Sequence, residues 1–149
     1  MKRIIDYGEL PSLAGVALPC SEWQEVNQEQ IGRFADATGD HQWIHVDVER
    51  AAREIGGTIA HGFLTLAMLT PLSAETLEFT GVSRRINYGF DRVRFTSPVK
   101  AGARVRLVHR IAKVEPKAGG LALTRECQLE IEGEERPALS CEWIVLVFP

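Results

Sequence analysis

In GFLTLAMLTPLSAETLEF (Gly62–Phe79), Phe63, Leu64, Leu66, Ala67, Met68, Leu69 and Leu72 leave almost no polar face. That predicts a helix buried nearly all round. Pro71 lacks an amide N–H and clashes with the carbonyl of Ala67, so a kink or restart is expected there, with Thr70 available as a cap. A helix this apolar needs a surface to cover it, and the residues that follow supply one.

Four strand patterns come after it. In RINYGFDRVRF, Ile86, Tyr88 and Phe90 share one parity while Val93 and Phe95 share the other, which predicts a bulge near Asp91. In ARVRLVHRIAKV, Val105, Leu107 and Ile111 alternate with arginines. GLALTRECQLEIEG alternates Leu121, Leu123, Cys127, Leu129 and Ile131 with polar residues, the pattern of a half-buried strand. PALSCEWIVLV turns apolar on both faces, as a central strand does. Consecutive strands with short connections make an antiparallel sheet. The fold class read from this is α+β, with the sheet wrapped around the helix.

Upstream, the chain is helical and rich in loops. SEWQEV (21–26) reads as a short strand after an ill-defined N-terminus. Asn27 is placed as an N-cap with Gln30 three residues on. Ile31, Phe34, Ala35 and Thr38 follow on one helical face, and Gly39 is the expected stop. Asp47 reads as the N-cap of a second short helix, with Glu49 in its first turn.

Bulk properties exclude several classes. A chain of 149 residues suits a single domain spanning 1–149. At this length folding buries roughly 68–70% of the unfolded surface, so no metal or disulfide is needed for stability. Apolar residues make up 45% and charged residues 25%, and the net charge is only −3. No basic run suggests nucleic acid. No apolar run has the length of a signal peptide or membrane span. Cys20, Cys127 and Cys141 show no C-x-x-C spacing and read as reduced thiols, which points to a cytoplasmic protein.

FADATGDHQWIHVD (34–47) concentrates polar chemistry between the two short helices. Asp40 follows a helix end, where the macrodipole is negative and an acid gains nothing from capping. A partly buried carboxyl there is disfavoured in its charged form and can hold a proton near neutrality. His45 lies five residues on, within reach of the same cleft. Three readings stand. The loop is a hydrogen-bonded structural turn, a proton-transfer pair sharing a water, or a metal site using Asp40, His41, His45, Asp47 and His61. The ligand types suit a metal, but the spacing matches no standard motif. His41 is expected at the exposed turn tip. In GTIAHGFL, Gly62 opens the apolar helix. Its N–H can face a ligand oxygen that acquires negative charge, or the glycine can simply relieve tight packing. His61 reads as a packed structural histidine, and so does His109.

Taken together, FADATGDHQWIHVD and GTIAHGFLTLAML resemble the hydratase motif of the MaoC-like dehydratases: an aspartate, four residues, a histidine, then His-Gly opening a long buried helix. NYGFDRVRFTSPVKAGARVR is similar to the strand–turn segment that follows in that family. DHQWIH and INYGFDRVRF are especially similar to the subgroup of nodulation-protein-N relatives. The resemblance covers roughly Gln24 to Arg110.

The resemblance implies a hot-dog fold, a homodimer, and (R)-specific hydration of trans-2-enoyl thioesters carried by coenzyme A or acyl-carrier protein. It makes Asp40 and His45 the catalytic pair and Gly62 the backbone donor to the thioester carbonyl. Thr70 falls where relatives often carry a serine that supports the aspartate. Trp43 stands within a segment where many relatives have Asn-Pro, and is expected to reshape the pocket wall. Phe63, Leu66 and Met68 are candidates to line an acyl tunnel, and Arg84, Arg85, Arg92 and Arg94 are candidates by type for coenzyme A phosphates. No cofactor, metal, nucleic acid or membrane partner is expected. The alternatives are a non-catalytic hot-dog binding subunit and a hot-dog thioesterase, which would use a carboxylate on the central helix such as Glu75.

Overall fold

The computed structural model describes residues 1–149. Its elements in chain order are β1 (Arg3–Asp6), a 3-10 turn (Tyr7–Ser12), β2 (Gln24–Glu25), α1 (Gln28–Thr38), α2 (Trp43–Val46), α3 (Val48–Ile55), α4 (Gly62–Thr76), β3 (Leu77–Thr80), β4 (Arg84–Phe95), β5 (Arg104–Lys117), β6 (Gly120–Ile131) and β7 (Leu139–Phe148). A five-stranded antiparallel sheet runs in the order β2-β5-β6-β7-β4. The alternation in β5, β6 and β7 turns Leu107, Ile111, Leu123, Leu129, Leu139 and Val145 to one face. There they share a core with Leu64, Met68, Leu69 and Leu72 of α4. Burying each such side chain favours folding by about 1.5–3 kcal/mol, so the sheet and the helix hold each other. No helix is long and apolar enough to cross a membrane.

Two expectations for α4 are corrected. The helix continues through Pro71 without a restart. Proline removes one hydrogen bond and displaces one carbonyl. Pro71 and Ala67 are both on the exposed side, while Met68, Leu69, Leu72 and Ser73 are buried. Nor is α4 buried all round, because Phe63, Ala67, Thr70, Pro71 and Ala74 form an exposed stripe.

The bulge near Asp91 is present as a register shift between Asp91 and Arg94, with Arg92 at φ 53°, and a second shift lies between Asn87 and Gly89. The N-terminus is better ordered than its sequence suggests. β1 pairs in parallel with β3, Arg3 opposite Leu77, and its Ile5 is buried.

Candidate active site

α1 starts where the Asn27 side chain accepts from the Gln30 N–H at 2.9 Å, and ends at Gly39, which has φ 81°. That left-handed turn delivers Asp40 just beyond the helix. The Asp40 carboxylate accepts from the Gln42 N–H at 3.3 Å, a local turn that sets its direction. The segment after it is not plain loop. Trp43–Val46 make a single helical turn, α2, which carries His45 inward. Asp47 then caps α3, accepting from the Arg50 N–H at 3.0 Å, as its sequence position predicts.

His45 is held at both its backbone and its ring. Its carbonyl accepts from the Gln28 side-chain amide at 2.8 Å, and its Nδ1 lies 2.7 Å from the Ile59 carbonyl. A carbonyl only accepts, so Nδ1 carries the proton and neutral His45 keeps its lone pair on Nε2. His61 stacks on it, with ring centroids 3.8 Å apart, and is flanked by Phe34 at 4.8 Å. His61 Nε2 donates to the Asp40 backbone carbonyl at 3.0 Å, while its buried Nδ1 has no partner. His61 is therefore a packed histidine, and it fixes the backbone of Asp40. One ligand atom from each of Asp40, His45 and His61 lies within 4.8 Å of the others. These three are also the side chains that could hold a metal ion. His41 and Asp47, the other members of the expected metal set, fall outside the cluster. His41 is exposed against Asp36, whose hydrogen bond raises its pKa.

The Asp40 side chain is half exposed, so within one chain it lacks the burial its sequence position suggested. His45, in contrast, lines a cavity of about 300 Å³ with Gly62, Thr65, Phe95 and Val99. As the first residue of α4, Gly62 has an N–H with no intrahelical acceptor, and no other bond takes it. A Cβ at Gly62 would stand 3.1 Å from the Phe95 ring. Gly62 thus lines the cavity with its N–H unclaimed by any backbone acceptor, and an aromatic ring packs where a side chain would be.

The other expected site residues lie elsewhere. Thr70 is exposed on the far half of α4, makes no hydrogen bond to Asp40, and borders a different cavity. Trp43 is not in the cavity wall, because the Arg50 guanidinium covers its ring at 4.0 Å. Phe63 is exposed and Met68 is in the core, and neither they nor Leu66 line this cavity. Glu75 is exposed near the other end of α4 and accepts from Gln24. Arg92 pairs with Glu142 at 3.5 Å, Arg94 donates to the Val93 carbonyl, and Arg84 and Arg85 cover Phe148 and Phe79. Sequence reasoning missed Ile59, Thr65 and Phe95. Ile59 acts through a backbone carbonyl, which no side-chain pattern reveals, whereas the apolar Phe95 facing a helix-opening glycine was open to notice.

An antiparallel sheet curled on one long helix, with polar chemistry at the helix N-terminus, defines the hot-dog class. The family model described as "MaoC like domain" matches residues 13–123, and the chain belongs to that family. It is 44% identical over 147 residues to 3-hydroxyacyl-thioester dehydratase Z of Mycobacterium tuberculosis, covering 97% of each chain. It is 46% identical to nodulation protein N of Rhizobium leguminosarum bv. viciae, covering 96% of this chain and 91% of that protein. Among solved structures, R-hydratase PhaJ1 of Pseudomonas aeruginosa superposes with a TM-score of 0.72 at 22% identity, over 88% of this chain and 81% of that one.

Proposed function

We propose that this chain is a 3-hydroxyacyl-thioester dehydratase that also runs in reverse, as an (R)-specific hydratase of trans-2-enoyl thioesters. Family membership and the relative of that name support the reaction class. The observation that carries the residue assignment is the convergence of the Asp40 carboxylate with His45, whose cavity also contains Gly62.

Hydration puts hydroxide on Cβ and a proton on Cα, and negative charge builds on the thioester oxygen between those events. Asp40 and the His45 Nε2 both accept, so together they hold the attacking water by its two hydrogens. As the water oxygen bonds to Cβ, the π electrons move toward the thioester carbonyl, where the Gly62 N–H receives the charge. The pair takes one proton from water and returns one to Cα, and the balance closes without a metal or redox cofactor. Acid–base groups of this kind contribute about 10²–10⁴-fold, and an oxyanion donor about 10²–10³-fold. The acyl group is carried by coenzyme A or acyl-carrier protein.

The working unit is a homodimer. The exposed stripe of α4 and the exposed Ile86, Tyr88 and Phe95 of the sheet's terminal strand together leave an uncovered apolar face. An open strand edge of this kind invites a second strand. Sedimentation at micromolar concentration is expected to give twice the 16.6 kDa chain mass, and a monomer would remove this part of the reading.

The activity test follows the enoyl-thioester absorbance of crotonyl- and longer enoyl-coenzyme A, beside Asp40→Asn and His45→Ala. Loss of the conjugated absorbance with the thioester intact, collapsing in both variants, is the expected result. Release of free thiol would instead identify a thioesterase, and no reaction at any chain length would favour a binding subunit.

A further inference from the structure

His45 rides on α2, a single helical turn of four residues whose N-cap, Gln42, makes no side-chain capping bond. So short a helix has no stability of its own, because ordering its backbone costs more than one turn of hydrogen bonds returns. Its place must be set from outside. Two bonds from distant segments reach His45, one at its carbonyl from Gln28 and one at its ring from Ile59. They are parts of one circuit.

Gln28 is the first residue of α1, in a turn fixed by the Asn27 cap. Its amide nitrogen donates to the His45 carbonyl at 2.8 Å, and its amide oxygen accepts from the Thr58 hydroxyl. A carbonyl cannot donate, so the nitrogen must face His45, and the oxygen is left for Thr58. Thr58 is 5% exposed, and its carbonyl accepts from the Ala101 N–H at 3.0 Å, which ties this segment to the turn ahead of β5. The next residue, Ile59, donates its N–H to the Ile44 carbonyl at 3.0 Å and accepts from His45 Nδ1 at 2.7 Å. The circuit therefore runs from the His45 carbonyl through Gln28, Thr58 and the Ile59 carbonyl back to the His45 ring. It joins α1, α2 and the segment before α4.

What the circuit controls is a proton. A neutral imidazole carries its proton on one nitrogen or the other, and the bond made by one nitrogen decides the state of its partner. The Ile59 carbonyl selects Nδ1–H and leaves Nε2 able to accept from water. A shift of α2 away from Ile59 would weaken that bond steeply. The other tautomer, with Nε2 protonated, could then form, and it cannot take a proton from water.

We propose that Gln28 and Thr58 are positioning residues for the dehydratase reaction: by tying the His45 backbone to the Thr58–Ile59 segment, they hold its ring in the tautomer that acts as base. This rests on the reading of His45 as half of the catalytic pair. Neither Gln28 nor Thr58 lines the cavity at His45, so their effect passes through His45 and not through substrate.

The test uses the full-length protein and two readouts. Gln28→Met keeps the side chain's length without its amide, Thr58→Val keeps the shape without the hydroxyl, and Thr58→Ser keeps the hydroxyl. On crotonyl-coenzyme A, Gln28→Met and Thr58→Val are expected to lose about 10- to 10²-fold in kcat with KM changed by less than about twofold. Thr58→Ser should stay near the wild-type rate. The double variant should be little slower than either single one, because the two side chains act as one chain. The second readout needs no turnover. In protein labelled with ¹⁵N-histidine, at a pH where the ring is neutral, the His45 resonances are assigned by their loss in His45→Ala. Wild type and Thr58→Ser should show a protonated Nδ1 and a bare Nε2, and Gln28→Met and Thr58→Val should show a mixture of tautomers. Unchanged kcat in both of those variants would overturn the proposal. So would a lost kcat with the wild-type tautomer intact, which would reduce the circuit to support of the fold, or a raised KM with kcat kept. If the wild-type protein turned over no thioester, the dehydratase reading would fall by itself, and the tautomer readout would still decide whether Gln28 and Thr58 hold His45.

Discussion

The two ends of α4 each meet buried histidines, but in opposite electrical settings. At the N-terminal end, His45 and His61 stack beside the Asp40 carboxylate, and His45 opens onto a cavity. Toward the C-terminal end, His109 lies 3.4 Å from the Arg125 guanidinium and bonds to Thr76 and the Pro19 carbonyl. Burial is similar at both ends, since His45, His61 and His109 are 6%, 3% and 4% exposed. What differs is the sign of the neighbouring charge. Beside a carboxylate, a histidine can take a proton and pass it on. Beside a guanidinium, taking one would put two cations in contact, so the ring is locked as a neutral hydrogen-bonding part.

The largest effect is expected where the N-terminal end is broken. Asp40→Asn and His45→Ala should each reduce hydration about 10²–10⁴-fold. The double variant should be little worse than either single one, because residues that act as a unit are not additive. Steady-state rates on crotonyl-coenzyme A measure this. Fully multiplicative losses would mean that the two side chains work independently, and the pair would have to be abandoned.

The next effect is thermodynamic and belongs to the other end. His109 has a folded pKa of about 4 against an ordinary value of 6.5. Between those values the unfolded chain binds a proton that the native state refuses, so stability rises with pH across that window. Going down from pH 7 to pH 4, the native state should lose roughly 2–4 kcal/mol to this one group. His109→Gln keeps a polar side chain without the titration. Urea unfolding at pH 7 and pH 5 should therefore show a shallower acid loss in the variant, and an identical slope would mean that His109 does not titrate as its surroundings require.

Much of this contrast was legible in the residues. Helix caps are local, so Asn27, Gly39 and Asp47 announced α1 and α3. Alternation is local too, so the four long strands and the inward parity of His109 could be read directly. Asp40, His45 and Gly62 came from short-range spacing together with a family resemblance. What escaped depends on distant partners. RIID is too short to signal a strand, and β1 exists because β3 lies beside it. Thr70 has the right spacing on α4 but makes no bond to Asp40 within the chain, because helical spacing does not say which neighbour a side chain meets. Arg125 sits on the buried parity of β6, but a strand pattern does not reveal that its neighbours are a tryptophan, a histidine and a serine.

The smallest effect sharpens the comparison by separating hydrogen bonding from charge. The Thr76 hydroxyl lies 3.1 Å from His109 Nε2 and donates to the Ser73 carbonyl at 3.0 Å. Because His109 Nε2 also faces the Pro19 carbonyl, Nε2 is the protonated nitrogen of the neutral ring, and Nδ1 accepts from Arg125. Thr76→Val keeps the shape and removes one polar partner, which should cost about 1 kcal/mol at pH 7. The acid slope should survive, since burial and the Arg125 charge hold the pKa down and the Pro19 bond pulls the other way. Urea unfolding of Thr76→Val at pH 7 and pH 5 checks both parts at once. A small uniform loss keeps charge and burial as the cause of the neutral state. A variant whose slope flattens as far as that of His109→Gln would transfer that role to the threonine, and the contrast between the ends of α4 would then rest on hydrogen bonding rather than on the sign of the neighbouring charge.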